Sequence, residues 1–328
     1  MKTVLKIFGV ILILLLIAVA GGVTFLYVKF PKMEPPAQIT AQATPARIQR
    51  GDYLFHHVTL CVACHSGRNE ELYSVPPVAG TEGQGEVFLK QKGLGAIYAP
   101  NITPYALGNW SDGEIARAIT SGVSKDGRPL FPIMPYDRFA LLSEEDLLSI
   151  IAYTRTLKSI SHNVPTSHFE FPLNLIVRTI PEPARPKPAP DQTHYGEYLA
   201  TIASCTFCHT PTGEHEQPIP GMKFAGGHVF EVNNHGKVRS VNITPDPETG
   251  IGKWTKEEFI SRFQRFRSSE TAHIAVPKGE PNTVMPWTLF AGMTDEDLGA
   301  IYDYLRTVPA VKNKVEDFTK KDLPGTTQ

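Results

Sequence analysis

The sequence predicts an all-α chain in which two tandem copies of one small three-helix unit, each with long irregular loops, follow a single transmembrane helix. Three observations predict it. An unbroken apolar run lies near the N-terminus; the pentapeptide C-x-x-C-H occurs twice; and several other short blocks recur around it in the same order at a period near 145 residues.

The apolar run, Ile7 to Val28, spans a bilayer core of roughly 30 Å at about 1.5 Å per residue. Ala18-Val19-Ala20 is an A-x-A pattern of the kind a signal peptidase accepts. The run continues well past it, however, and exceeds a signal-peptide core in length, so residues 1–30 read as a retained anchor. Lys2 and Lys6 precede the helix, which puts the N-terminus in the cytoplasm and everything after Lys32 on the far side. Residues 31–46, with Pro31, Pro35, Pro36 and Pro45, read as a stalk. The formal net charge is −1, which leaves no nucleic-acid footprint. All four lysines of residues 1–32 lie in a segment without acids, so the remainder is mildly acidic.

Cys61-Val62-Ala63-Cys64-His65 and Cys205-Thr206-Phe207-Cys208-His209 together use all four cysteines. Two thiols one helical turn apart can each add to a vinyl group at a porphyrin edge, and the adjacent imidazole then reaches the iron, so the motifs predict two covalently attached haems c. Zinc held by the four thiols and a thiol–disulfide pair are the alternatives. Zinc gives no reason for a histidine after each second cysteine, and a thioredoxin-like pair needs a βαβ context that neither motif has.

Each motif sits inside the same sequence of landmarks. Gly51-Asp52-Tyr53-Leu54 and Gly196-Glu197-Tyr198-Leu199 precede the motifs; Asn101-Ile102-Thr103-Pro104 and Asn242-Ile243-Thr244-Pro245 follow them. Trp110-Ser111 matches Trp254-Thr255, and the segment from Leu142 to Thr156 matches that from Met293 to Thr307. In each copy a first helix leads into the motif. A second starts at Ser111 or Thr255 with Glu114 or Glu258 completing a capping box, and a third starts at Ser143 or Thr294 with acids in its first turn. Gly- and Pro-rich stretches, 66–109 and 210–253, show little periodicity and read as loops wrapped round a cofactor. The domains are then 47–162 and 194–310, joined by a Pro-rich linker (163–193) whose first half is apolar enough to pack on a domain, and followed by a polar tail (311–328).

An iron that conducts electrons without binding anything needs a sixth ligand. Met134, in Ile133-Met134-Pro135-Tyr136, is the only methionine between Met33 and Met222. In the second copy Met285, in Val284-Met285-Pro286-Trp287, shares the Met-Pro-aromatic pattern, whereas Met293 stands at a helix entry and Met222 reads as packing. His65, Met134, His209 and Met285 are therefore the expected axial ligands. The nine other histidines do not repeat between the copies. Asn101, Trp110, Asn242 and Trp254 recur at fixed places and read either as propionate or pocket contacts or as core and turn residues.

With these blocks in place, the chain resembles the membrane-bound cytochrome c subunits that accompany bacterial periplasmic alcohol, gluconate and related dehydrogenases. The resemblance covers residues 47–310 and is strongest at Asn242–Trp254. It implies two class I cytochrome c-like domains and redox partner proteins: a dehydrogenase, an oxidase or a soluble cytochrome. Members commonly carry three haem domains and sometimes a C-terminal anchor; this chain has two motifs and its apolar segment in front. The expectation is an electron-transfer protein on the periplasmic face of the bacterial cytoplasmic membrane, without independent catalysis. The alternative is a catalytic dihaem oxidoreductase of peroxidase or thiosulfate-oxidising type, which needs one iron with an open sixth position.

Overall fold

The computed structural model describes residues 2–184, 187–214, 217–232, 236–268, 270–316 and 318–319. Helix α1 (Lys2–Lys29) is continuous, buries none of its residues, and is long and apolar enough to cross a membrane. The segment after it lies along the first half of the molecule: the Ala41 N–H donates to Asp112 Oδ2 at 2.8 Å, and Ala37 packs directly on Gly113.

The first half contains α2 (Pro45–Tyr53), a π turn (Leu54–Val58), α3 (Cys61–His65), the hairpin β1 (Glu86–Gln91) and β2 (Gly95–Ala99), then α4 (Pro104–Leu107), α5 (Asp112–Ser121), α6 (Tyr136–Phe139) and α7 (Glu144–Thr156). A connecting segment supplies β3 (His168–Phe169) and α8 (Leu173–Ile176). The second half repeats the order with α9 (Tyr195–Ile202), α10 (Cys205–His209), β4 (Val229–Val232), β5 (Gly236–Arg239), α11 (Lys256–Gln264), α12 (Trp287–Phe290), α13 (Asp295–Leu305) and β6 (Phe318–Thr319).

The expectation of an all-α chain is thereby corrected. Each half carries a three-stranded antiparallel sheet, ordered β1-β2-β3 and β4-β5-β6, whose first two strands lie inside a stretch that reads as loop. The third strand of each sheet arrives from outside the half's helical frame. Beyond Ala310, the Asn313 Nδ2 donates to the Ala225 carbonyl at 2.9 Å, so the second half's packing runs on to β6.

The helical frame is built as its sequence dictates. Ser111 and Thr255 each accept from the N3 backbone N–H while Glu114 and Glu258 reach back to the cap N–H, giving two complete capping boxes. Ser143 and Thr294 cap α7 and α13 through the N–H groups of Asp146 and Asp297, both at 3.1 Å. The first and third helices of each half cross at a glycine. A Cβ on Gly51 would lie 2.0 Å from the Ser149 carbonyl oxygen, and one on Gly196 would lie 2.0 Å from that of Ala300. Only glycine lets these backbones approach so closely.

The halves differ by one residue between the repeated tyrosine and the first cysteine: eight steps from Tyr53 to Cys61, seven from Tyr198 to Cys205. The π turn at Leu54–Val58 takes up the extra residue, the usual response of a helix to a one-residue insertion. The chain thus reaches each motif in the same way. The preceding residue adopts left-handed backbone in both copies, Leu60 at φ 54° and Ser204 at φ 62°, an unfavourable state for non-glycine residues that surrounding packing must hold.

One apolar core runs through both halves, joining Leu54, Val58, Phe139, Leu142 and Ile150 to Leu199, Ile202, Phe259, Phe263, Leu298 and Leu305. The polar contacts at this junction are reciprocal. The Tyr53 hydroxyl donates to Asp297 Oδ2 at 2.6 Å, and the Tyr198 hydroxyl donates to Asp146 Oδ2 at 2.6 Å. Each phenol oxygen also accepts the cap N–H of the opposite half, from Thr294 and Ser143, at 3.2 Å. The two halves therefore face one another through a pseudo-two-fold axis.

Candidate haem-attachment centres

Each C-x-x-C-H segment forms one short helix, which sets its two thiols a turn apart on the same face. All four cysteines are free thiols. Desolvation pushes Cys61 and Cys208 up to about 11 and Cys205 up to about 12, and raises Cys64 as well. Thiols so held are protonated at neutral pH and are poor disulfide-exchange nucleophiles. Among the described residues no three His, Cys, Asp or Glu side chains come together as metal ligands, so the four thiols do not form the tetrahedral cluster a structural zinc takes.

The histidines are oriented identically. His65 Nδ1 bonds the Pro100 carbonyl and His209 Nδ1 bonds the Val241 carbonyl, both at 2.8 Å. These carbonyls immediately precede Asn101 and Asn242 in the repeat. Since a carbonyl only accepts, Nδ1 carries the proton and Nε2 keeps its lone pair. Burial lowers both imidazole pKa values, so the rings are neutral at physiological pH.

The loops carrying those carbonyls are braced by the recurring asparagines. Asn101 Oδ1 accepts from the Thr103 N–H and hydroxyl at 2.9 and 2.7 Å, while its Nδ2 donates to the carbonyls of Ile160 and His162 at 2.9 and 3.0 Å. Asn242 makes the same two contacts to Thr244 and donates to the Val311 carbonyl at 2.8 Å and Thr249 Oγ1 at 2.9 Å. Of the two readings of these residues, the turn role fits: the amide protons are committed to protein acceptors. Trp110 packs with the small core of the first half, and Trp254 lies under the Arg262 guanidinium, 4.6 Å from its ring centroid.

Met134 and Met285 occupy equivalent turns. In each, the aromatic residue two positions on donates its N–H to the methionine carbonyl at 2.8 Å, and proline opens a four-residue helix, α6 or α12. Both side chains pack, half-buried, on the shared core. Met293 is buried in that core at the entry to α13. Among the remaining histidines, His57 bonds the Leu289 carbonyl across the junction at 2.8 Å, and His56 pairs with Asp52 and Glu82. His215 and His235 lie outside the described residues.

Sequence reasoning missed the junction. The Met-Pro-aromatic helix of each half leans on the other half's motif region. Arg138, in α6, stacks over Phe207 of the second motif with its guanidinium carbon 4.6 Å from the ring centroid. Its counterpart Leu289, in α12, packs against the cluster of Phe55, Val62 and Leu157. No recurrence signalled it, since the repeated block continues as Tyr136-Asp137-Arg138 in one half and Trp287-Thr288-Leu289 in the other.

Two thiols a turn apart, a neutral imidazole held by a carbonyl through Nδ1 and an apolar surround are what haem c requires of a protein, and the residues present in both halves fit it. Such a site is of the kind found in c-type cytochromes. Comparison with known proteins agrees. The fructose dehydrogenase cytochrome subunit of Gluconobacter japonicus is 31% identical over 294 residues, covering 85% of this chain and 56% of that protein. The cytochrome c subunit of the quinone alcohol dehydrogenase of Gluconacetobacter polyoxogenes is 29% identical over 297 residues, covering 85% and 60%. A dihaem c-type cytochrome of Cereibacter sphaeroides is 24% identical over 321 residues, covering 91% and 97%. No family model matches the chain. The chain thus resembles dehydrogenase cytochrome c subunits, as its motifs indicate, while spanning less than two thirds of the length of those subunits. Relatives named as cytochromes c imply covalently bound haem c.

Proposed function

We propose that this chain is a dihaem cytochrome c, made of two tandem class I cytochrome c-like domains. In this reading α1 anchors it in the bacterial cytoplasmic membrane with the remainder in the periplasm, and it passes single electrons from a dehydrogenase to a respiratory acceptor. The observation that carries the reading is the duplicated histidine geometry: two neutral, buried imidazoles, each fixed by Nδ1 to the carbonyl before a repeated asparagine, each next to a thiol pair.

When bound, haem c supplies a one-electron iron couple. The chain's own residues do the rest. Cys61 and Cys64, and Cys205 and Cys208, would hold one haem each, and His65 and His209, with Nδ1 committed to a carbonyl, would offer Nε2 to the iron. Met134 and Met285, on equivalent turns, would supply the distal thioethers, which would favour the reduced iron and leave no position open to small molecules. That closure favours conduction over the peroxidase-type or thiosulfate-oxidising alternative. The likeness to dehydrogenase cytochrome subunits supports a dehydrogenase as the donor. Partner contacts are then small and transient, as electron transfer requires.

The test is a spectrum of the membrane-extracted full chain. Mass spectrometry is expected to show two haems per polypeptide and the optical spectrum to show both low-spin at rest, with Met134→Ala and Met285→Ala each converting one to a form that binds CO or cyanide. A resting protein that already binds peroxide or CO at one iron overturns the electron-transfer reading in favour of a catalytic one.

A further inference from the structure

Each motif has an arginine associated with it, but the two arginines come from different places in the chain. At the first motif it is Arg68, three residues past His65 and within the same half. Its Nη2 donates to the Val87 carbonyl at 3.2 Å and its guanidinium lies over the Phe88 ring. The equivalent position in the second half is Thr212, which carries no charge. There the cation is Arg138 of the first half, which stacks on Phe207 inside the second motif.

Arg138 is placed as a functional cation is and a solvated one is not. Its side chain is 14% exposed, its guanidinium stacks on Phe207 between the two cysteines of the second motif, and its Nε is buried without a hydrogen-bond partner. The one carboxylate near it, Asp137 at 3.7 Å, is 65% exposed and neutralises it weakly. Keeping a desolvated guanidinium at this junction is costly, and the repeat shows that the fold does not need it: the same position of α12 holds Leu289, packed among apolar neighbours.

We propose that Arg138 is the electrostatic tuning residue of the second haem site, supplied in trans by the first half, and that it raises the reduction potential of the haem held by Cys205, Cys208 and His209. This rests on the dihaem reading above. The physical basis is that reduction would remove one positive charge from the iron, so a fixed cation at the attachment motif, in a low-dielectric junction, would favour the reduced form. Arg68 does the same for the first site from within its own half. The second site is therefore complete only when the two halves are docked, and the junction sets a redox property as well as a fold.

The experiment is a spectroelectrochemical titration of the haem-loaded full chain, which resolves two one-electron steps. Arg138→Leu, copying the residue the repeat tolerates, is expected to shift one step downward so that the oxidised-to-reduced ratio at a fixed poise rises about tenfold, or about 59 mV for a one-electron couple. Arg138→Lys keeps the charge and restores most of the shift. Arg68→Leu is expected to move the other step. A haem-loaded Arg138→Leu protein with both steps in place overturns the proposal, as does one that moves the same step as Arg68→Leu, or a Lys variant that behaves like Leu. A chain that carries no haem overturns the dihaem reading itself, a distinct result read from the mass before any titration.

Discussion

At the junction Asp146 and Asp297 occupy equivalent positions at the start of α7 and α13, yet they are neutralised differently. Asp146 accepts two bonds from Arg50, at 2.8 and 3.1 Å, and one from Tyr198. Asp297 accepts from Tyr53 and has Tyr195 where Arg50 stands in the first half; burial, then the Asp297 charge, pushes that phenol up to about 12. The first half thus satisfies its buried carboxylate with an ion pair of its own and needs the second half for one further bond. The second half uses phenols, one of them borrowed. The same asymmetry holds elsewhere: the first half owns a private core and a strap from residues 37–41, while the second takes Arg138 for its motif. Duplication gave both halves one frame, and their contacts have since made the second depend on the first.

The largest expected effect tests what they share. Gly51→Ala and Gly196→Ala each place a methyl group against a carbonyl oxygen at the crossing of the first and third helices, so either is expected to cost about 3 kcal/mol. Urea unfolding of each variant checks this. Similar losses from both confirm that the frames are equivalent; a tolerated alanine in one half shows that its crossing is looser than the other's.

A smaller effect tests where they differ. Tyr53→Phe takes a donor from a buried carboxylate that has no arginine, and is expected to cost about 2 kcal/mol. Tyr198→Phe leaves Asp146 its two bonds from Arg50 and is expected to cost about 1 kcal/mol. Adding Arg50→Gln to Tyr198→Phe removes that reserve, so the double variant should lose more than the two singles summed, because the pair shares one acceptor. Equal costs for the two phenylalanine variants would show that the ion pair contributes nothing to the difference.

How much of this was legible in the sequence follows from the range of each interaction. The helices, caps and motif turns depend on residues three or four apart, as with Ser111 and Glu114, and the repeat displayed each of them twice. The sheets were missed for a different reason. The apolar run Val87-Phe88-Leu89 shows no alternation and its ladder shifts register within it, β1 is short, and its sheet is completed by His168 and Phe169 from a segment that reads as linker. The one-residue excess before Cys61 could be counted from the sequence, whereas its resolution as a π turn could not. The junction was least legible, because Tyr53 and Asp297 are 244 residues apart and no periodicity connects them.

The smallest expected effect concerns a titratable group present in one half only. Counting four residues from the repeated tyrosine reaches His57 in the first half and the buried Ile202 in the second. His57 donates from Nδ1 to the Leu289 carbonyl in α12, so it sits in the junction as a neutral ring, and burial lowers its pKa below the usual 6.5. His56 beside it adds repulsion to any proton gained, and Asp52 offsets this only in part. Because the folded pKa lies below the unfolded one, the stability His57 contributes is complete above about pH 6.5 and is lost as pH falls from there towards the folded pKa, while the unfolded chain takes up a proton that the folded chain resists. Comparing urea midpoints at about pH 7.5 and about pH 5.5, the native chain should lose more than His57→Gln, which keeps a donor for the Leu289 carbonyl without a titration in this range. The loss should also fall on the junction first, seen as earlier exposure of the amides of α12 and the π turn in hydrogen exchange than of α7. An identical pH response in the two proteins would mean that the junction tolerates a charged His57, and that the first half contributes no acid sensitivity the second half lacks.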